Sequence, residues 1–300
     1  MQVAQWNSWP ESHEPFKADP SRAGLRRILC ISDLQATADL ALDRAVALGK
    51  QFHADVHILY ASEHSNARTV MHLIRRHDDW TPTARMEMFA EEQKPHSVEV
   101  RPIPGPLHSA IANVTKQFGI DMLVMTEAGE SSSGMERAIR SAGTPVLIVR
   151  RHATSPYQSI VVASDLSESS VKLVRTMKDY ECLDAANVTI VHGFGLPYRR
   201  LSETPQTIPE RLDAYRNGWQ RLVLDQLRKD VENAGLDSSN VSFEADLAVP
   251  IHFIEQHVRT SQSDLLVAGA SRFIRLKRIL GRSVTHQILD RIDCDVLIVP

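Results

Sequence analysis

The sequence predicts an α/β protein: two doubly wound, five-stranded parallel-sheet domains of Rossmann-like plan, joined as a tandem repeat. Three observations carry that prediction. Short apolar runs recur in the same order in both halves of the 300 residues. The runs are continuous rather than alternating, as parallel strands covered on both faces require. Between them lie stretches whose apolar residues return every three or four positions, the period of a helix laying one face on a sheet.

The repeat is visible residue by residue. Ile28-Leu29-Cys30-Ile31-Ser32-Asp33-Leu34 matches Ile160-Val161-Val162-Ala163-Ser164-Asp165-Leu166 at an offset of 132 (165 − 33). Val56-His57-Ile58-Leu59-Tyr60 lies over Val188-Thr189-Ile190-Val191-His192 at the same offset. Ile120-Asp121-Met122-Leu123-Val124 matches Ser263-Asp264-Leu265-Leu266-Val267 at 143 (264 − 121), and Val146-Leu147-Ile148-Val149 recurs as Val296-Leu297-Ile298-Val299 at 150 (296 − 146). Four landmarks in one order make the chain two copies of one unit.

In the first copy, residues 27–32 form strand one, followed by a helix with Ala41, Ala45 and Leu48 on its inner face. Residues 55–61 form strand two, and after a helical stretch 97–103 form strand three. A helix from 107 leads to strands at 120–125 and 145–150. The second copy repeats this plan with a long helix over 208–234, where Ile208, Leu212, Tyr215, Trp219, Val223, Leu227 and Val231 share one face. Residues 150–157, with Pro156 and little apolar material, join domain 26–150 to domain 157–300. The last strands of the two copies are expected to pair with each other, a pseudo-dimer inside one chain, and pairing of two chains as a homodimer is compatible with it. Residues 1–25 carry Trp6, Trp9, Pro10, Pro15 and Pro20 without the apolar core of a secretory signal, and are expected to form an irregular arm.

The length suffices for two cores. With 43% apolar residues, 24% charged residues and a net charge of −3, bulk attraction to nucleic acid or membrane is excluded, so neither is expected as a partner. No run approaches the roughly 18 apolar residues of a spanning helix. The three cysteines are widely spaced, and Cys30 and Cys294 fall in strand-like runs, which points to a reducing, cytoplasmic setting. The histidines show no ligand spacing, so no metal site is expected.

In an open parallel sheet, ligands bind beyond the carboxyl ends of the strands, where strand order reverses. Three loops of the second copy leave that edge: after Asp165, after His192-Gly193, and after Ala268-Gly269. The third carries Arg272, Arg275, Lys277, Arg278 and Arg282, and Gly281-Arg282-Ser283-Val284 then opens a helix. Bare backbone N–H groups and the positive end of a helix dipole can hold an anion there, most naturally a phosphate. The same residues have plainer uses: Asp165 as a helix N-cap, Gly269, Gly281 and Ser283 as bend and cap, the cations as a solvated face. Pro106-Leu107-His108 and Pro250-Ile251-His252 echo each other at helix starts, where local packing is the favoured role. Neither a nucleophile elbow nor a P-loop lysine is present, so no catalysis beyond slow incidental ATP hydrolysis is expected.

An apolar strand ending in Asp, a second ending near His-Gly, then Asp-Leu-Leu-Val-Ala-Gly, Gly-x-Ser-Val and Val-Leu-Ile-Val-Pro together resemble the universal stress protein family. Two copies resemble its tandem members, over residues 26–300. The resemblance implies a five-stranded parallel sheet with helices on both faces. In nucleotide-binding members, ATP is held by the strand-one Asp and by a loop of the form Gly-x-x-Gly, a spacer, then Gly-Ser/Thr. Carried over, Asp165 meets ribose or base, Gly193 and Ala268 line the adenine edge, and Gly269 is the first loop glycine. Ser283 and Val284 fall at the phosphate end. Arg272 stands for the second glycine and Arg282 for the third, with Gly281 one residue earlier. An arginine there either pairs with phosphate or fills the space the backbone needs.

In the first copy Asp33 remains, but the stretch between strands four and five is seven residues shorter (150 − 143), and Glu127, Glu130 and Glu136 would repel a triphosphate. ATP is not expected there. The resemblance thus implies a non-catalytic, cytoplasmic stress-response protein that binds ATP, with or without Mg, in its second domain and acts through protein partners it does not name. The other reading is a scaffold whose sites have lapsed or now take a non-nucleotide ligand.

Overall fold

The computed structural model describes residues 24–32, 38–60, 97–102, 107–127, 132–152, 156–180, 187–195, 208–270 and 284–300. The first half contributes β1 (Arg27–Ser32), α1 (Ala38–Phe52), β2 (Asp55–Tyr60), β3 (Ser97–Pro102), α2 (Leu107–Phe118), β4 (Met122–Met125), α3 (Ser132–Ala142) and β5 (Val146–Ile148). The second contributes β6 (Ser159–Ala163), α4 (Glu168–Asp179), β7 (Asn187–Phe194), α5 (Ile208–Asn233), β8 (Val241–Leu247), α6 (Pro250–Thr260), β9 (Leu265–Gly269), α7 (Val284–Arg291) and β10 (Asp295–Val299). The arm before residue 24 lies outside the described residues, while Leu25 is buried in the core.

Each half has its own parallel strands, yet the ten join in one sheet ordered β3-β2-β1-β4-β5-β10-β9-β6-β7-β8. The join is antiparallel, β5 on β10, with Val296 opposite Ile148, Leu297 opposite Leu147 and Ile298 opposite Val146. Leu147 and Leu297 are equivalent positions of the repeat, so the register is self-complementary and an internal two-fold axis passes between them. This is the pseudo-dimer the repeat predicts, built as isologous interfaces are built.

Strand side chains alternate between two apolar layers. Ile28, Cys30, Leu147 and Leu297 pack with α1, α4 and α5 on one face. Leu29, Ile31, Val146 and Val296 pack with α2, α3, α6 and α7 on the other. Covering both faces explains why the strands are continuously apolar. It also buries the thiols: Cys30 and Cys294 are inaccessible, and burial pushes both up to about 12.

The landmark aspartates of the fourth strands have a shared structural task. Asp121 Oδ2 accepts the N–H groups of Arg26 and Arg27, both at 2.9 Å. Asp264 accepts those of Gln158 at 2.7 Å and Ser159 at 3.1 Å. In each half a carboxylate thus closes the amino end of the first strand, where strand N–H groups would otherwise lack partners.

The long helix departs from expectation in its first half. Val223, Leu227 and Val231 are buried, but Trp219 is 46% exposed. Tyr215 donates to the Gly195 carbonyl, Arg216 pairs with Asp246, and Gln220 donates to the Ala245 carbonyl. These contacts put residues 215–216 level with the carboxyl ends of β7 and β8. The Arg216 hydrogen bond holds the Asp246 carboxyl below the usual range.

At the join of the halves sits Asp295, 1% exposed. Its Oδ1 accepts from the N–H of Arg150 at 2.8 Å and of Arg151 at 3.2 Å, and its Oδ2 accepts from the Tyr157 hydroxyl at 2.7 Å. Buried Arg44 brings its Nε to 3.4 Å from Oδ2 and stacks 4.3 Å over the Tyr157 ring. Asp295 thus holds the described residues on either side of the crossover, Arg150 and Arg151 before it and Tyr157 after it. Asp295→Ala removes the carboxylate beside buried Arg44 and the acceptor of Arg150, Arg151 and Tyr157, and should cost about 3–5 kcal/mol in urea unfolding. A loss below about 1 kcal/mol would show that the network does not hold the halves.

Candidate functional site

The second half's strand order reverses at β6, which has β9 on one side and β7 on the other. Beyond the carboxyl ends of these three strands lies an open crevice, lined among others by Asp165, Ser169, Gly193, Pro250, Gly269 and Ile288. This is the position at which doubly wound sheets hold ligands.

Asp165 leaves β6 through a tight turn. Leu166 follows with φ +57°, a left-handed conformation that side chains with a Cβ adopt at a cost. Asp165 Oδ1 accepts from the Ser167 N–H at 3.0 Å, from the Ser167 hydroxyl, and from the Ser170 hydroxyl at 3.2 Å. The N-cap of α4 is Ser167, whose hydroxyl accepts from the Ser169 N–H. Asp165 is therefore not the helix cap that its position suggested; it fixes the residue that is. His192, buried in β7, donates from Nδ1 to the Ser164 carbonyl at 2.9 Å, and the Ser164 hydroxyl meets that of Ser170 at 2.9 Å. The carboxylate at the crevice mouth thus stands on a hydrogen-bonded support.

Gly193 has a reason of its own. A Cβ built there would lie 2.9 Å from the Pro250 Cα, 3.2 Å from the Ala248 carbonyl oxygen and 3.4 Å from the Phe253 Cβ. The start of α6, with Pro250 in its first turn, lies directly on β7. Close packing by itself demands this glycine, in addition to any ligand at the same edge.

Of the residues expected at the site, Asp165, Gly193, Ala268 and Gly269 come together around the crevice. Arg272, Gly281, Arg282 and Ser283 lie outside the described residues, and Val284 opens α7 with its side chain likewise outside them. Ser164, Ser169, Leu173, Pro250, Ile254 and Ile288 line the crevice unforeseen. The doublet Pro250-Ile251 was a usable signal, since its echo in the first copy marked this helix start, but the lining falls to Pro250 while His252 is exposed.

In the first half, β4 and α3 are separated by residues 126–131, six positions, against fourteen (270–283) between β9 and α7. The missing length therefore falls between strand and helix, as expected. Of the acidic residues expected to repel a triphosphate, Glu127 pairs with Arg150 and Glu136 with Arg140. Asp33 and Glu130 lie outside the described residues.

Gly193→Ala should destabilise the chain by about 1–3 kcal/mol, because backbone rather than a flexible side chain stands in the way. Chemical denaturation checks this, and an unchanged midpoint would mean that the β7–α6 contact is looser than the geometry gives.

The family model described as the universal stress protein family matches the sequence twice, over residues 24–150 and 156–300. No curated protein matches the chain significantly. Among solved structures, a universal stress protein from Archaeoglobus fulgidus DSM 4304 superposes with a TM-score of 0.62 at 14% identity, covering 93% of this chain and 97% of that one. A functionally unknown protein from Pseudomonas aeruginosa PAO1 gives a TM-score of 0.57 at 14% identity, over 92% of both chains. At such identities the structures speak for the fold alone. Two matches to one family model, spanning nearly all of a sheet built from two equivalent halves, make this chain a tandem member of the universal stress protein family.

Proposed function

We propose that the second half is a regulatory, non-catalytic binding module for an adenine nucleotide, with ATP, alone or with Mg, as the leading ligand. The observation that carries this reading is the crevice at the carboxyl ends of β6, β7 and β9, lined by Asp165, Gly193, Ala268 and Gly269. Asp165 stands at its mouth on a preorganised turn, suited to accept hydrogen bonds from ribose hydroxyls or the base. The phosphates would extend toward residues 272–284, where Arg272, Arg282 and Ser283 offer cationic and hydroxyl donors. Contact between that segment and phosphate would change a surface available to protein partners. Family membership supports the reading; the short connection of the first half speaks for one nucleotide per chain.

Calorimetry with Mg-ATP on the full chain tests this. Binding should be saturable with one site. Asp165→Asn keeps an acceptor for Ser167 and Ser170 but turns the other oxygen into a donor, and should weaken binding on the order of tenfold. Absence of heat at millimolar nucleotide would reject the proposal in favour of a scaffold with lapsed sites. Sustained phosphate release above background would reject its non-catalytic part.

A further inference from the structure

We infer that the second half carries an anion-binding groove on the sheet edge opposite the crevice, suited to a compact oxyanion. The groove, about 270 Å³, lies at the amino ends of β9 and β10, between the last turns of α6 and α7. Three arginines reach it from three parts of the chain: Arg151 from the crossover between halves, Arg259 from α6 and Arg291 from α7.

Their pairing leaves positive charge over. Glu255 serves two of them, at 2.9 Å from Arg259 and 3.6 Å from Arg291. Arg151 donates from Nε to the Asp293 carbonyl at 3.1 Å, which anchors the side chain by one nitrogen, and among the described residues its guanidinium engages no carboxylate. Counting Asp293 with Glu255, three guanidiniums face two carboxylates, a surplus of one in a chain whose net charge is −3. Cys294, at the same groove, is held up at about 12 by burial, so a neutral thiol adds no competing negative charge.

Arginines in the last turn of a helix also complement its dipole, and this accounts in part for Arg259 and Arg291. It does not account for Arg151, which belongs to no helix. The end of α6 is moreover already closed: the carbonyls of His257, Val258 and Arg259 accept from the N–H groups of Ser261, Ser263 and Gln262. The guanidinium nitrogens beyond those that meet Glu255 and the Asp293 carbonyl can face paired oxygens, the geometry of phosphate and carboxylate groups. A diphosphate and a polycarboxylate share that chemistry.

The test is calorimetric titration of the full chain at low ionic strength with sodium pyrophosphate and, separately, with citrate. One of the two should bind. The pair Arg151→Gln and Arg291→Gln should weaken binding on the order of tenfold, since hydrogen bonds to charged groups are worth that much. Arg259→Gln, a change at a mostly exposed side chain, should weaken it in the same direction without threatening the fold. Arg228→Gln, on α5 away from the groove, should change nothing. These variants retain every cation of residues 272–282, so binding that survives in both Arg151→Gln/Arg291→Gln and Arg259→Gln belongs to that segment and overturns the inference. No heat with either anion overturns it as well, while leaving the nucleotide proposal untouched.

Discussion

The whole architecture depends on the antiparallel pairing of β5 with β10. Two parallel five-stranded sheets each end in an edge, and an exposed edge strand is a template for unwanted pairing. Here the two edges satisfy each other. Leu147, Ile148, Val296 and Leu297 are at most 1% exposed at this seam. At about 1.5–3 kcal/mol for each buried aliphatic side chain, against about 1 kcal/mol net for a backbone hydrogen bond, apolar burial dominates the attraction. Burial is indifferent to small slips, however. The carboxylate of Asp295, gripping the backbone of Arg150 and Arg151 and the hydroxyl of Tyr157, supplies the directional contacts that specify one register.

The symmetry of that seam decides where the sites face. Because the axis runs through the sheet with α1 and α4 on one side together, the carboxyl edges of the two halves point in opposite directions. The second half's crevice therefore shares no rim with the corresponding edge of the first. Arg150 is one contact that touches both halves at once, pairing with Glu127 near the first half's edge and donating to the Leu289 carbonyl of α7. The two copies have been free to diverge: one keeps fourteen residues between its fourth strand and the next helix, the other six.

Within the crevice, structural and ligand-facing demands fall on the same residues. Gly193 is required by the backbone of Pro250, Asp165 orders the cap of α4, and His192 clamps the end of β6 through Ser164. A site supported this way is preorganised, since its carboxylate and its bare backbone are held before any ligand arrives.

What the sequence by itself determined was everything written in periodicity and repetition: ten strands, the helices between them, two equivalent halves, and the mouth of a crevice at Asp165, Gly193, Ala268 and Gly269. The strands and halves follow from burial on both faces, and Asp165 and Gly269 from strand ends, which leave local marks, while Gly193 and Ala268 were placed by the resemblance to the family. Even the pairing of the two last strands could be foreseen, because a repeated apolar edge calls for a matching edge. Tertiary structure alone decided the rest. That Gly193 answers to Pro250, that Ser167 rather than Asp165 caps α4, that Glu127 pairs with Arg150, and that Trp219 is half-exposed all depend on contacts between residues distant in the chain or on the exact path of a turn. Arg151, Arg259 and Arg291, scattered over 141 positions (291 − 151 + 1) of sequence, become neighbours only because the seam folds the crossover back against the ends of α6 and α7.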